Sequence, residues 1–341
     1  MRSPPWDFPR QAGSVRALCE LGLDHGLDSR QCLRDTGLSL DDLDHAHDLI
    51  SATQELQVIR NLLDALGHEL PLGLEAGLRH HPTTFSIWGF AILSSETARQ
   101  AVEVGLRYMR LTSAYCEAWI EEADGESLMV SDAGSLPPDV RTFLVERDLT
   151  TLLSIQRDAV PVTIPLTRLE LQLPAPPYAG QYEALFGITP RFDQPLGRIG
   201  VNAALGEMRL PQGNPVTLRY CEQECQRLLD TYQQRSGTAG RVRDHLLGQT
   251  RQMPTMDIMA AVLGLSVRSL RRRLQDEETN YETLVEEVRR SLACDLLASN
   301  ALGIEQIAER LGYSELASFS RAFKRWMGQS PRAWRMGKTR Q

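Results

Sequence analysis

The spacing of apolar positions changes character along the chain, and each change predicts a different kind of element. From Val15 to about Gly67 the pattern is helical with short turns: Leu56, Ile59, Leu63 and Leu66 recur at helical spacing, with Leu62 beside them. Thr84 to Leu93 is nearly all apolar and reads as a strand or a buried segment, after which Ser95 is placed to cap a helix. That helix would present Ala98, Ala101, Val102, Leu106 and Met109 on one face. Segments at Glu117–Glu122, Ser127–Ser131, Thr167–Leu173 and Ile199–Val201 alternate or run apolar like strands. A helix from about Pro177 to Phe186, ended by Gly187, interrupts them. The front portion therefore reads as α+β, and its last helix covers about Thr217 to Tyr232.

The polar stretch from Gln233 to Gly240 reads as a linker. The expected domains are 1–235 and 236–341, with the boundary near Ser236. Everything after it has helical periodicity. Two sub-segments there resemble each other: Ala260–Ser266 followed by Leu270–Leu274, and Ala308–Ser314 followed by Phe319–Phe323. In each, a short amphipathic helix meets a Gly, and a Ser then stands where it caps a second helix. Helix, Gly-containing turn, helix is the helix-turn-helix pattern, whose second helix enters the major groove. One match is weak evidence, because helical hairpins are common; two matches are much stronger. Between them, Tyr281 to Leu297 reads as one long helix with Tyr281, Leu284, Val285, Val288, Leu292 and Leu296 inward.

Charge sharpens this division. The 341 residues carry a formal net charge of −7, yet the stretch from Arg241 to the end holds 17 basic and 12 acidic residues, leaving the front portion strongly acidic. An acidic body with a basic tail suits a sensor joined to a polyanion binder. The longest uncharged stretch, Pro82 to Ser95, falls short of the roughly 20 residues of a membrane span. The opening residues have no apolar core of a signal peptide, so a cytoplasmic protein is expected. Six scattered cysteines fit a reducing compartment. Cys221 and Cys225 lie one helical turn apart, and His45 and His47 flank one residue, but neither pair has a completing ligand nearby. No metal site and no cofactor is expected.

The run from Gly303 to Arg335, with the first repeat, resembles the signature of AraC/XylS-family transcription regulators. More loosely, the front portion resembles the amino-terminal effector domain of the ornithine-regulator-like branch, through Gly89–Thr97, Arg107-Tyr108 and Tyr182–Phe192. The sequence departs from the family pattern at Glu278, where Gly is frequent, and at Gly303, where a capping Ser or similar polar residue is common. The resemblance implies an α+β effector domain plus an all-α domain with two helix-turn-helix motifs joined by a long helix. It further implies a small-molecule effector, contact with RNA polymerase as an activator, and a homodimer. Arg289 matches a family position that packs between the subdomains.

On a helical wheel, Val267, Leu270 and Leu274 face inward in the first repeat, as do Phe319, Phe323 and Trp326 in the second, with Leu316 at the edge. The opposite faces carry Arg268, Arg272 and Gln275, flanked by Ser269 and Arg271, and Ala317, Arg321 and Lys324, flanked by Ser318 and Arg325. Arginine suits such a face because its planar fork donates two hydrogen bonds to guanine or grips a phosphate. Arg268, Ser269, Arg272, Ala317, Ser318 and Arg321 stand near the helix N-termini and would reach base edges of double-stranded DNA. Arg271, Lys324 and Arg325 lie further along and would meet phosphates. The competing reading of any one of them is a solvated charged face. A rigid rod between the repeats would set the two reading helices about one duplex turn apart, roughly 34 Å.

The front portion is larger than DNA binding needs. Phe85, Ile87, Trp88, Phe90, Tyr108 and Phe192 are candidates to line an effector pocket, though each better suits an ordinary core. Arg107 and Arg110 are candidates for an anionic group. The main functional expectation is a ligand-responsive, sequence-specific DNA-binding regulator. The alternative is an enzyme whose tail targets it to DNA, against which stands the lack of any phosphate-binding loop, dinucleotide fingerprint, nucleophile elbow or zincin motif.

Overall fold

The strand-like segments pair into one antiparallel sheet in the order β3-β4-β6-β5, comprising Glu117–Ala123 (β3), Glu126–Asp132 (β4), Leu166–Glu170 (β5) and Gly197–Asn202 (β6). A two-strand ladder, β1 (Arg10–Gln11) with β2 (Leu49–Ile50), precedes it. The β3–β4 hairpin turns on Asp124-Gly125, both at positive φ (52° and 79°), the backbone that matches the twist of a two-residue hairpin loop. The computed structural model describes residues 6–43, 49–160, 162–235, 237–247, 253–298, 302–313 and 315–338. It forms two units, Met1–Tyr232 and Gln233–Gln341.

Helices of the first unit are α1 (Gly13–Asp24), α2 (Ser29–Cys32), α3 (Ala52–Leu66), α4 (Leu72–Leu78), α5 (Ser86–Ser94), α6 (Ala98–Arg107), α7 (Arg141–Ala159) and α8 (Gly180–Phe186), with α9 (Pro215–Arg235) closing it. One core gathers α1, α3, α4, α7 and the inner sheet residue Leu169; a second gathers α5, α6 and α9. Gly77 of α4 lies so close to α7 that a Cβ there would stand 2.2 Å from the Arg147 carbonyl oxygen, so only glycine lets these helices meet.

Several local expectations are corrected. Thr84–Leu93 is neither a strand nor wholly buried: it forms a 3-10 turn and α5, with Phe90 half-exposed. Ser95 closes α5 by donating to the Ala91 carbonyl, and Thr97 caps α6 instead, accepting from the Gln100 amide at 3.3 Å. The buried face of α6 is Ala101, Val104 and Gly105, and Val102 points to solvent. Helices α4 and α7 give no clear periodic signal, because α7 buries Glu146, Arg147, Thr150 and Ser154 among its apolar residues. The Gln233–Gly240 stretch, expected as a linker, lies in helix on both sides of residue 236, which itself falls outside the described residues; α10 (Gly237–Leu247) follows.

One of those buried polar groups, Arg147, joins a network around Glu55. The Glu55 carboxylate accepts hydrogen bonds from Arg147 Nη1 at 3.1 Å and the Tyr115 hydroxyl at 2.8 Å and forms an ion pair with Arg10, whose Nε lies 3.2 Å away; all four side chains are buried. Arg10 also donates to the carbonyls of Ala114 and Trp6 and lies 3.6 Å from the Tyr115 ring centroid. Burial works against the Glu55 charge, but Arg147 and Arg10 outweigh it and hold its carboxyl below the ordinary range. One element thus fastens the start of the chain, α3, α7 and the segment before β3.

A second buried carboxyl has no cation partner among the described residues. Glu146 Oε1 accepts hydrogen bonds from Tyr182 Oη (2.5 Å) and Tyr178 Oη (2.8 Å), whose rings stack, and Phe192 meets Tyr182 edge-on. Burial raises its pKa to about 7 in spite of both hydroxyls.

Two measurements check these assignments. Glu55→Gln keeps the shape and removes the charge between two buried guanidiniums, so it should cost about 3–5 kcal/mol in urea unfolding; an unchanged midpoint would mean the network is solvated. Glu146 goes from the ordinary 4.5 in the unfolded chain to about 7 when folded, so its penalty is absent below pH 4.5, grows between about 4.5 and 7 and is fully present above 7. Glu146→Gln should match the parent near pH 4 and exceed it by about 3 kcal/mol near pH 8. Parallel stability curves for the two proteins would exclude this.

Candidate nucleic-acid interface

Each repeat folds as two helices joined at a left-handed glycine. In the first, Thr255 caps α11 (Met256–Val262), and Gly264 at φ 66° reverses the chain so that Leu265 N donates to the Ala260 carbonyl at 2.8 Å. Ser266 then caps α12 (Val267–Asp276), its Oγ accepting from Ser269 N at 3.2 Å. In the second, α14 (Ile304–Arg310) ends before Gly312 at φ 80°, Tyr313 N donates to the Ala308 carbonyl at 3.0 Å, and α15 (Leu316–Met327) follows. Ser314, expected as the second cap, lies outside the described residues. Gly303 begins α14 with its amide donating to Gln306 Oε1 at 2.9 Å, and no side chain caps that end in return.

Each second helix is anchored by its inward face. Leu270 and Leu274 are buried with Met259, Leu263 and Val242, and Val267 packs at the margin. Phe319 and Phe323 are fully buried, with Trp326 and Trp334 edge-on to Phe323 and α16 (Pro331–Lys338) closing the cluster. Leu316, expected at the core's edge, is 39% exposed. The connecting helix α13 (Tyr281–Ala298) serves both cores. Tyr281, Leu284 and Val288 enter the first, Ala293 and Leu297 the second, and Leu292 touches both. The expected inward set missed Ala293 and Leu297, because the facing partner changes halfway along the rod. The Arg289 guanidinium lies 5.1 Å from the Tyr313 ring centroid, linking the rod to the turn of the second motif. Glu277 caps α10, accepting from Thr238 N and Ala239 N at 2.8 Å each.

The outward faces carry the candidate contacts. Arg268, Arg271, Arg272 and Gln275 are exposed on α12, as are Ala317, Arg321, Lys324 and Arg325 on α15. Ser269 and Ser318 are half-buried; the Ser266 hydroxyl donates to Ser269 Oγ, and Arg321 Nη2 donates to Ser318 Oγ at 3.3 Å. Among the described residues, Arg268, Arg271, Arg272, Arg321 and Lys324 form no ion pair, so their positive charge faces solvent uncompensated. Arg325 differs: it pairs with Glu286 of α13. Sequence reasoning missed Glu286, whose signal was only an acidic residue on a helix already read as structural.

In the first unit, the effector candidates do not converge. Phe85, Trp88 and Tyr108 share the α5–α6–α9 core, where the Trp88 indole donates to the Gly105 carbonyl at 3.1 Å. Phe192 packs on Tyr182 in the other core, Ile87 is half-buried, and Phe90 faces solvent. Arg107 pairs with Glu222 at 2.8 Å, and Arg110 is exposed. Phe85 does form one wall of a small polar recess with Arg10, Ser14, His80, Thr84 and Thr112. Burial lowers the His80 pKa to about 3, so its imidazole is neutral, and its Nδ1 lies 2.9 Å from Thr151 Oγ1. Cys221 and Cys225 lie on the buried face of α9, in the α5–α6–α9 core, and burial pushes the Cys225 thiol up to about 12. The described residues hold no metal-ligand cluster; His45 and His47 lie outside them.

Residues 26–210 match the family described as the arabinose-binding domain of AraC transcription regulator, and residues 259–337 match a helix-turn-helix domain family. Over 344 aligned positions the chain is 31% identical to an uncharacterised HTH-type transcriptional regulator of Mycobacterium tuberculosis, covering 96% of each protein. It is 31% identical to the ornithine utilization regulator of Pseudomonas aeruginosa, covering 94% of each. The solved structure of the transcriptional regulator CdpR from Pseudomonas aeruginosa overlays with a TM-score of 0.46 at 22% identity, across 95% of this chain and 98% of that one.

The departure at Glu278 has a measurable consequence. Its φ is 55°, a left-handed conformation suited to glycine, and its amide donates to the Gln275 carbonyl at 3.0 Å as α12 ends. The turn thus keeps its geometry with a side chain that strains it. Glu278→Gly should raise the stability of the second unit by about 0.5–1 kcal/mol, the relief of strain less the added chain entropy. A lowered melting temperature would show that the Glu278 side chain contributes more than it costs.

Proposed function

Because the chain belongs to the AraC family of DNA-binding transcription regulators, we propose that α12 and α15 are its two reading helices and that one chain spans two successive major grooves. The observation that carries this is the set of exposed, uncompensated cations on both helices, each opposite a fully buried anchor. Arg268, Arg272 and Arg321, with Ser269, Ala317 and Ser318, stand at the N-terminal ends and read base edges. Arg271, Gln275 and Lys324 lie further along and hold the backbone, supplying affinity without sequence choice. Arg325 is set apart from them by its pairing with Glu286. With α13 as a spacer, the two heads meet half-sites about one helical turn apart, so the operator need not be a palindrome.

In the same reading, the first unit binds a small-molecule effector. Phe85, Trp88, Tyr108 and Phe192 remain the residues to substitute in seeking it, because the recess beside Arg10, His80 and Phe85 has a volume of only about 10 Å³, room for one water. Regulation is a population shift: the effector binds the DNA-competent state more tightly than the other. The protein acts in the cytoplasm, as an activator touching RNA polymerase and as a homodimer; no helix among the described residues is long and apolar enough to cross a membrane.

Footprinting the full chain on DNA upstream of its own and neighbouring genes should give two protected patches about one helical turn apart. Arg272→Ala or Arg321→Ala should then weaken specific binding by about 1–3 kcal/mol and relax sequence preference at one position. Equal weakening on specific and random DNA would reduce that arginine to a phosphate contact. An absence of protection at any of these sites would count against the reading.

A further inference from the structure

The two halves of the DNA-binding unit are held apart by α13, and between them lies an open cleft walled by Tyr281, Val285, Glu286, Arg289, Tyr313 and Trp326. Few groups cross it. The Glu286 carboxylate reaches from α13 to the far end of α15, where a single oxygen, Oε1, accepts from both Arg325 Nη2 and the Trp326 indole Nε1 at 2.5 Å each. The indole is donor-only and half-buried against Phe323, so the direction of its N–H is fixed by the core. The carboxylate it fixes in turn determines where the guanidinium lies. Other charges around this point are Arg289 and Arg290 on α13 and Glu282 one turn earlier.

We infer that Glu286 is a positioning residue for the second reading helix: it holds Arg325 as a brace between α13 and α15, and Arg325 therefore carries no DNA phosphate. The inference rests on the DNA-binding reading of α12 and α15. Its basis is the contrast along one helix. Arg321 and Lys324 face solvent without a carboxylate partner among the described residues, whereas Arg325, one position on, is turned toward α13. Ion pairing and two charge-assisted hydrogen bonds keep Glu286 ionised, with the Trp326 bond and then the Arg325 bond lowering its pKa. Arg325 is 68% exposed and Glu286 46%, so the pair adds little to folding stability and acts on geometry. Substitutions at both positions leave the core untouched.

Salt dependence of binding to a random-sequence 30-base-pair duplex separates the alternatives, because each phosphate that the protein ceases to neutralise flattens the plot of log affinity against log salt by about 0.9. For the full chain, Lys324→Gln should flatten it by that amount, Arg325→Gln should leave the slope as in the parent, and Glu286→Gln should steepen it as the freed guanidinium takes a phosphate. Flattening by Arg325→Gln equal to that of Lys324→Gln would overturn the proposal. So would an unchanged slope for Glu286→Gln, since the carboxylate would then not be what keeps Arg325 away. Failure of the parent to bind, or indifference to Lys324→Gln and Arg321→Gln alike, would overturn the DNA-binding reading itself.

Discussion

A single helix that must satisfy two cores is the constraint on which the DNA-binding unit depends. Over its 18 residues, α13 presents Tyr281, Leu284 and Val288 to one cluster and Ala293 and Leu297 to the other. Neither cluster is large enough to stand as a domain alone, since a core of a dozen side chains leaves little margin over chain entropy. Sharing the rod joins them into one cooperative structure. It also converts helix rise into a ruler, because the distance between the two cores is fixed by the number of residues between Leu284 and Leu297. Leu292, touching both, marks where one core hands over to the other.

The first unit is constrained differently. Its organising contact is polar: Glu55 between Arg10 and Arg147, all buried. Such an arrangement contributes little net stability compared with an apolar core of equal volume, yet removing one member leaves uncompensated charge. Its effect is to specify register. Arg10 and Arg147 can meet Glu55 together only when the segment before α1, helix α3 and helix α7 take one mutual arrangement. Gly77 imposes a matching steric demand on the α4–α7 contact. Buried Glu146, with its carboxyl pushed up by burial, and buried His80, held neutral by burial and by nearby Arg147, show how much polar chemistry this unit tolerates inside.

These two designs explain what was legible in the sequence. The helix-turn-helix motifs could be read because every local signal agreed: Gly264 and Gly312 take left-handed backbone, Ser266 caps, and Leu270 and Phe319 begin buried faces. The hairpin and sheet strands could be read from alternation, but their order could not, since β6 inserts between β4 and β5 through contacts separated by more than sixty residues from β4. Helix α7 was hidden because its buried face mixes polar with apolar residues, and α5 because it is apolar on every side, so neither gives a 3.6-residue period. The effector residues were least legible: aromatic side chains that look alike in sequence divide between two cores, Phe85 and Trp88 in one and Phe192 in the other.

Charge counting alone undervalues the surface proposed to face DNA. The tail from Arg241 onward has an excess of only five positive charges, a value many ordinary surfaces share. Its acidic residues, however, are not spread evenly. Glu277 caps α10, Glu287 pairs with Arg243, and Glu286 pairs with Arg325, so three carboxylates are engaged away from the outward faces of α12 and α15. On those faces Arg268, Arg271, Arg272, Arg321 and Lys324 have no carboxylate partner among the described residues. A polyanion approaching from that side meets a local field set by these cations and not by the net charge, and at separations beyond about 10 Å salt removes the opposing contribution of the paired acids. Engaging these three carboxylates with partners elsewhere thus lets an overall acidic protein present a basic surface on α12 and α15.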